Sequence, residues 1–213
     1  MDRRIDRKAL KAKAKEYAFK NKWNYWKPFL ALFVIAFLVG FVSGIFGDSF
    51  LGSIVSLAGT IVLLPVEIGV ISYTIKLTRQ QNPDLKAELT GKFDMIKVIL
   101  LTVLVVGLAT LGWTLLLIIP GIIYAYKVIM TTFILADTAN KDTRWQDVIS
   151  DSKKMMDGYK LDYFVFQLSF LLWIYGGLFT FGILWIWAVP YMQAASVMYY
   201  DELKRIQSAN LTV

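Results

Sequence analysis

The sequence predicts an all-α membrane bundle: six spanning helices arranged as three hairpins, with a basic helix ahead of them. Three observations carry this expectation. The 213-residue chain is 57% apolar and 18% charged, with a mean hydropathy of +0.54, whereas soluble domains are about 45–50% apolar and about 25% charged. Charges are spaced unevenly, leaving three long blocks nearly free of them. The basic residues collect at one side of those blocks.

Residues 1–27 form a basic juxtamembrane segment, with ten basic and three acidic side chains. The other 186 residues carry 13 of each, so the whole net charge of +7 belongs to this segment. Arg3, Arg4, Arg7, Lys8, Lys11, Lys13, Lys15, Lys20, Lys22 and Lys27 are its candidate contacts with anionic inner-leaflet lipids. The charge is therefore a membrane signal, and nucleic acid is excluded as the partner it serves. The basic stretch is too long for a cleavable signal, and Phe41-Val42-Ser43-Gly44 offers no convincing cleavage site.

Residues 28–203 form a single membrane domain. Its apolar blocks cover residues 28–75, 98–136 and 163–200. A spanning helix needs roughly 20 apolar residues, so each block holds two. Phe46-Gly47-Asp48-Ser49 divides the first block and Gly182 the third. In the second, Gly112 and Pro120-Gly121 compete for the turn. Thr110-Leu111-Gly112 followed by Pro120 echoes Thr180-Phe181-Gly182 followed by Pro190. If that echo is a repeat, Gly112 and Gly182 are equivalent turns; chance matching in a biased composition is the alternative. Pro65, Pro120 and Pro190 are candidate kinks within spans.

Of the 23 basic residues, 22 fall on the side that holds both termini. By the positive-inside rule that side is cytoplasmic, and the expected location is a bacterial plasma membrane. Trp23, Trp26, Trp113, Trp173, Trp185, Trp187, Tyr199 and Tyr200 mostly flank the spans as interface anchors.

Between spans four and five, residues 143–157 read as an amphipathic cytoplasmic helix. Trp145, Val148, Ile149, Ser152, Met155 and Met156 share its apolar face. Thr143 with Gln146 fits a capping box, and Gly158 is a natural stop. That face either packs under the bundle or docks at the interface or on a partner. Residues 204–213 are a short cytoplasmic tail.

Glu67 and Lys127 are the ionisable residues inside the blocks that lie far from an end. Their depths match and their signs oppose, which predicts an intramembrane pair tying the second span to the fourth. Such a pair is a structural clamp or part of a transport path. Gln167 and Gln193 are expected to bond between helices.

Gly112-Trp113, Leu117-Ile118-Ile119-Pro120-Gly121-Ile122-Ile123 and Ile134-Leu135-Ala136-Asp137 follow one another in order. So do Ser152-Lys153-Lys154-Met155-Met156-Asp157-Gly158, Leu168-Ser169-Phe170, Pro190-Tyr191 and Tyr199-Tyr200-Asp201-Glu202-Leu203. This series resembles the bacterial membrane family called domain of unknown function nine-seventy-five, common in Firmicutes, over roughly residues 23–203. The resemblance implies a multi-pass plasma-membrane protein and brings no activity, substrate or catalytic residue. Glu67 departs from the family, which is usually apolar around that proline.

With no cysteine and no histidine, disulfides, thiolate zinc sites and imidazole proton relays are excluded. No P-loop, HExxH or GxSxG occurs. No catalytic, cofactor or metal residues are expected; Asp137, Asp142, Asp147 and Asp151 read as solvated loop acids. The sequence favours a non-catalytic protein that binds a membrane or envelope partner or lipid, in regulation, assembly or protection. The alternative is a small transporter or channel, alone or as a homo-oligomer, using the Glu67–Lys127 pair.

Overall fold

A computed structural model describes residues 5–20, 22–47, 49–138 and 142–211, apart from the side chains of 20, 22, 210 and 211. Arg3, Arg4 and Asp48, and the side chains of Lys20 and Lys22, therefore lie outside the described residues. The described residues are 87% helical, with no strand among them. In chain order the helices are α1 (Arg7–Lys20), α2 (Lys22–Phe46), α3 (Phe50–Thr78), α4 (Leu85–Gly91), α5 (Ile96–Leu116) and α6 (Ile118–Val128). They continue with α7 (Thr131–Asp137), α8 (Trp145–Met155), α9 (Lys160–Leu168), α10 (Leu171–Phe179) and α11 (Ile183–Leu211); a 3-10 turn, Lys92–Met95, joins α4 to α5.

Five stretches are long and apolar enough to cross a membrane: Trp23–Phe46, Phe50–Thr78, Leu85–Leu116, Ile118–Asp137 and Lys160–Phe179. The sixth expected span is the first part of α11, one helix of 29 residues. Its Trp and Tyr side chains, Pro190 and Gln193 leave it less apolar than the five. Residues 204–211 continue that helix rather than forming a separate tail.

Each hairpin turns by a different device. Gly47 has φ +55°, and the Ser49 hydroxyl accepts the Gly52 amide at 3.1 Å to start α3. The second hairpin turns at neither expected site. Leu117 alone is extended, φ −157° and ψ 130°, between α5 and α6. Gly112 lies within α5, because the backbone ladder runs on until the Leu117 amide donates to the Trp113 carbonyl at 3.0 Å. Pro120 sits in the first turn of α6, where an amide has no intrahelical acceptor to lose, so it is not a mid-span kink. Pro65 and Pro190 are interior to α3 and α11. Gly182, φ +86°, does turn the third hairpin. Gly112 and Gly182 are thus not equivalent turns.

Close approach then sets the pairing. A Cβ on Gly121 would lie 2.7 Å from Thr114 Cα, and one on Gly177 would enter the Trp185 ring. The Trp185 indole N–H donates to the Ile174 carbonyl at 3.1 Å. Two spans are also broken. Ser152 on α8 accepts the Met130 amide at 3.2 Å and donates to the Lys127 carbonyl at 3.1 Å, which separates α6 from α7. The Ser169 hydroxyl bonds back to the Phe166 carbonyl at the α9–α10 break.

Burial is concentrated at one end of the bundle, where the charged loops lie. Residues 65–66, 68–70 and 72–75 of α3, Ile99, Met130, Leu135 and the α11 stretch around Ala194–Leu203 are buried there. A run of ring contacts through Tyr163, Phe166, Phe170, Tyr191 and Tyr199 supplies much of that core. At the opposite, apolar end large side chains face outward, among them Leu172 at 83% and Phe179 at 85% exposure.

The basic helix α1 is distinct from the first span and packs on α11, burying Ala14 and Ala18. Leu10, Tyr17 and Phe19 pack against the core beside those two alanines.

Candidate functional site

Where α3 ends, Gln80 adopts φ +60° and Arg79 takes the C-cap position. That places the Arg79 guanidinium beside the last residue of α7 and one face of α11. Its Nη1 and Nη2 donate to the two Asp137 oxygens at 2.6 and 3.1 Å. Nη2 also reaches Asp201 Oδ1 at 2.6 Å, and Nε reaches the same oxygen at 3.2 Å. The Asp137 carboxylate further accepts from Tyr200 at 3.1 Å and Lys204 at 2.5 Å. Tyr200, Asp201 and Lys204 share a face of α11 through the one-residue and four-residue spacings of a helix. Hydrogen bonding to Asp137 raises the Arg79 pKa above its ordinary value, against the opposing effect of burial.

A second cation completes the grip on α7. The buried Lys92 ammonium donates to the carbonyls of Leu135, Ala136 and Thr138 at 3.1, 2.6 and 2.8 Å. It thus satisfies acceptors that a helix C-terminus leaves open. Beside it, Glu88 of α4 binds Lys76 and accepts from Ser72 at 2.7 Å. Gly69 lets the α4 backbone cross α3, for a Cβ there would meet the Glu88 carbonyl at 2.6 Å. A cavity of about 190 Å³ lies between these groups, lined by Ser72, Lys76, Glu88, Lys92 and Asp137 among others. On the other flank, Asp162 accepts from Tyr199 at 2.7 Å and pairs with Arg7 at 3.6 Å, tying α1 and α9 to α11.

Chemically this is a clasp. Its acids and the other bases spend their hydrogen bonds chiefly on one another, and Lys92 spends its own on the carbonyls at the end of α7. Among the described residues no group of three or more acidic side chains is arranged to hold a metal ion.

The expected Glu67–Lys127 pair is a correction. Both residues are described, and no ion pair joins them. The reason is packing. Glu67 points outward from α3, whose neighbours are chiefly α2, α4, α7 and α11, whereas α6 packs on α5, α8 and α9. The amphipathic helix forms, and Gly158 at φ +81° ends it as expected. Arg144 rather than Thr143 holds the N-cap position, extended at φ −91° and ψ 140°, with no side-chain cap, so the capping box is not made. Its apolar face is turned inward: Val148, Ile149, Ser152, Met155 and Met156 are buried and Trp145 half-buried. That face is core packing, not a free docking surface.

The basic segment divides. Arg7 is paired with Asp162, Lys11 lies over the Phe170 ring, and Lys27 over the Trp23 ring. Lys8, Lys13 and Lys15 are exposed and available to headgroups. Gln167 does bond between helices, accepting from Tyr126 at 2.9 Å, whereas the Gln193 amide nitrogen is buried with no protein acceptor. Sequence reasoning missed Arg79, Lys92 and Asp201 as a unit. The available signal was their position: Asp201 stands directly beside an apolar block, and Arg79 and Lys92 within a few residues of one.

Nothing among curated proteins or solved structures matches the chain. A family model does, over residues 102–207, from α5 to the charged turns of α11. It takes in Asp137, Asp201 and Lys204 but not their partner Arg79. The chain belongs to the family described as protein of unknown function (DUF975).

Proposed function

We propose that this is a non-catalytic integral protein of the bacterial plasma membrane that acts by binding a membrane or envelope component, either lipid or protein. In this reading the chain crosses six times as three hairpins, with α8 and both termini cytoplasmic. Docking of α1 on α11 supports that arrangement, since it holds the two ends of the chain at one end of the bundle. Five long apolar stretches then call for a sixth crossing, which α11 is long enough to make. The bias of Lys and Arg puts the charged end inside.

The observation that carries the binding reading is the distribution of charge. Arg79, Asp137, Asp201 and Lys204 at the charged end are bonded to one another in a clasp. Glu67 and Lys127, the residues a transport path would use, stand on separate helices and form no ion pair with each other. What remains on the surface of the spans is mostly apolar and suited to acyl chains or another helix.

Gentle purification from native membrane, followed by mass spectrometry of bound lipids and proteins, tests this. A stoichiometric protein or a retained lipid species is the expected result. Protein that emerges bare and conducts ions in liposomes would instead establish a transporter.

A further inference from the structure

Within the apolar segments one acid and one base remain without each other. Glu67 is exposed on α3, at the end of a polar line formed by Ser53, Ser56 and Thr60, all exposed. At about 100° per residue the four positions fall on one side of the helix. Lys127 is half-buried on α6, on the face continued by Ile123 and Ile119, which are 46% and 71% exposed. Both helices run the same way, from the apolar end to the charged end.

Their levels agree by independent contacts. Glu67 is two positions from Gly69, where α4 crosses α3. Lys127 has its carbonyl bonded by Ser152 of α8. The Arg79–Asp137 bond puts a common mark at the charged end of both chains of helix. From it Glu67 is twelve positions back and Lys127 ten, a difference smaller than one turn of about 5.4 Å. A lone charge on an apolar face is costly, and a partner of opposite sign relieves it.

We propose that copies of this chain associate through these two faces, α3 of one lying parallel to α6 of another, with Glu67 opposite Lys127 of the second copy. Ser53, Ser56 and Thr60 provide the small side chains that allow spans to approach closely. The contact uses a different face on each copy, so a closed ring, or a two-fold pair with both contacts made reciprocally, satisfies every charge. This inference rests on the membrane placement proposed above.

The test uses the full chain with two different tags, co-expressed and extracted from membranes, reading co-purification of one tag with the other. Wild-type copies are expected to co-purify. Glu67→Lys alone, or Lys127→Glu alone, should weaken self-association by about tenfold, in line with the loss of a close charge pair. Co-expressing a Glu67→Lys copy with a Lys127→Glu copy should restore it, which a pair within one chain would not do. Should the swaps fail to accumulate, Thr60→Cys on one copy and Ile119→Cys on the other retain both charges. In a chain otherwise free of cysteine they should cross-link between tags. Wild type that is monomeric in membranes, swaps without effect, no restoration in the mixture, or no cross-link would overturn the proposal. Monomer in the membrane fraction leaves the membrane reading intact, whereas protein recovered in the soluble fraction removes both.

Discussion

Arg79 shows how much one residue at a helix end can organise. Its fork meets two carboxylates, and planar donors at fixed spacing suit that task where an ammonium does not. Arg79→Lys should therefore recover only part of what Arg79→Ala loses. The alanine variant removes bonds to both Asp137 and Asp201, and the loss is expected to be about 1.5–3 kcal/mol given partial solvent exposure. Lys204, 54% exposed at its side chain, should matter less, with Lys204→Ala costing about 1 kcal/mol or below. Thermal unfolding of the three variants in one detergent reads the order; Lys204→Ala as damaging as Arg79→Ala would contradict the clasp. None of these partnerships is legible in the sequence, because Arg79, Asp137 and Asp201 are 58 and 64 positions apart along the chain. Sequence does mark Glu67 and Lys127 as unusual, since a charge inside an apolar block needs a reason. It cannot tell which way each side chain faces on its neighbours, and that is where the pairing within one chain failed.

At the scale of elements, the hairpins are governed by contact rather than by breaking residues. In the α5–α6 hairpin, Gly121 has Thr114 backbone atoms within 2.8 Å of a Cβ position, while Gly107 has nothing within 4 Å. Gly121→Ala should thus destabilise the protein by about 1–3 kcal/mol through overpacking. Gly107→Ala should be neutral or stabilising by up to about 1 kcal/mol, since alanine favours helix. Unfolding midpoints of the pair, measured together, check the contrast, and equal midpoints would argue against the close approach. Apolar blocks of sufficient length reveal the spans, and Gly47 and Gly182 reveal two turns. The reversal at Leu117 carries no punctuation in the sequence. Nor do the breaks at Met130 and Ser169, which depend on serine hydroxyls that the surrounding fold brings to the backbone.

For the whole molecule, the burial pattern divides a closed charged end from an open apolar one. If the charged end is cytoplasmic, a cysteine in place of Ser49 should react with a membrane-impermeant maleimide in intact cells with the outer envelope opened. A cysteine in place of Ser208 should react only after the inner membrane is permeabilised. Both sites lie in a chain that offers no competing thiol. The opposite labelling pattern would invert the orientation, and labelling of both without permeabilisation would remove the even number of crossings. By itself the sequence determined the helical class, the positions of the apolar stretches and the bias of charge to one end, because these depend on composition and local order along the chain. Only the tertiary structure decided which charges meet, that the Trp145–Met156 face turns inward, and that Glu67 and Lys127 do not pair. Those outcomes depend on which helices become neighbours, and neighbours are chosen by packing between residues far apart in sequence.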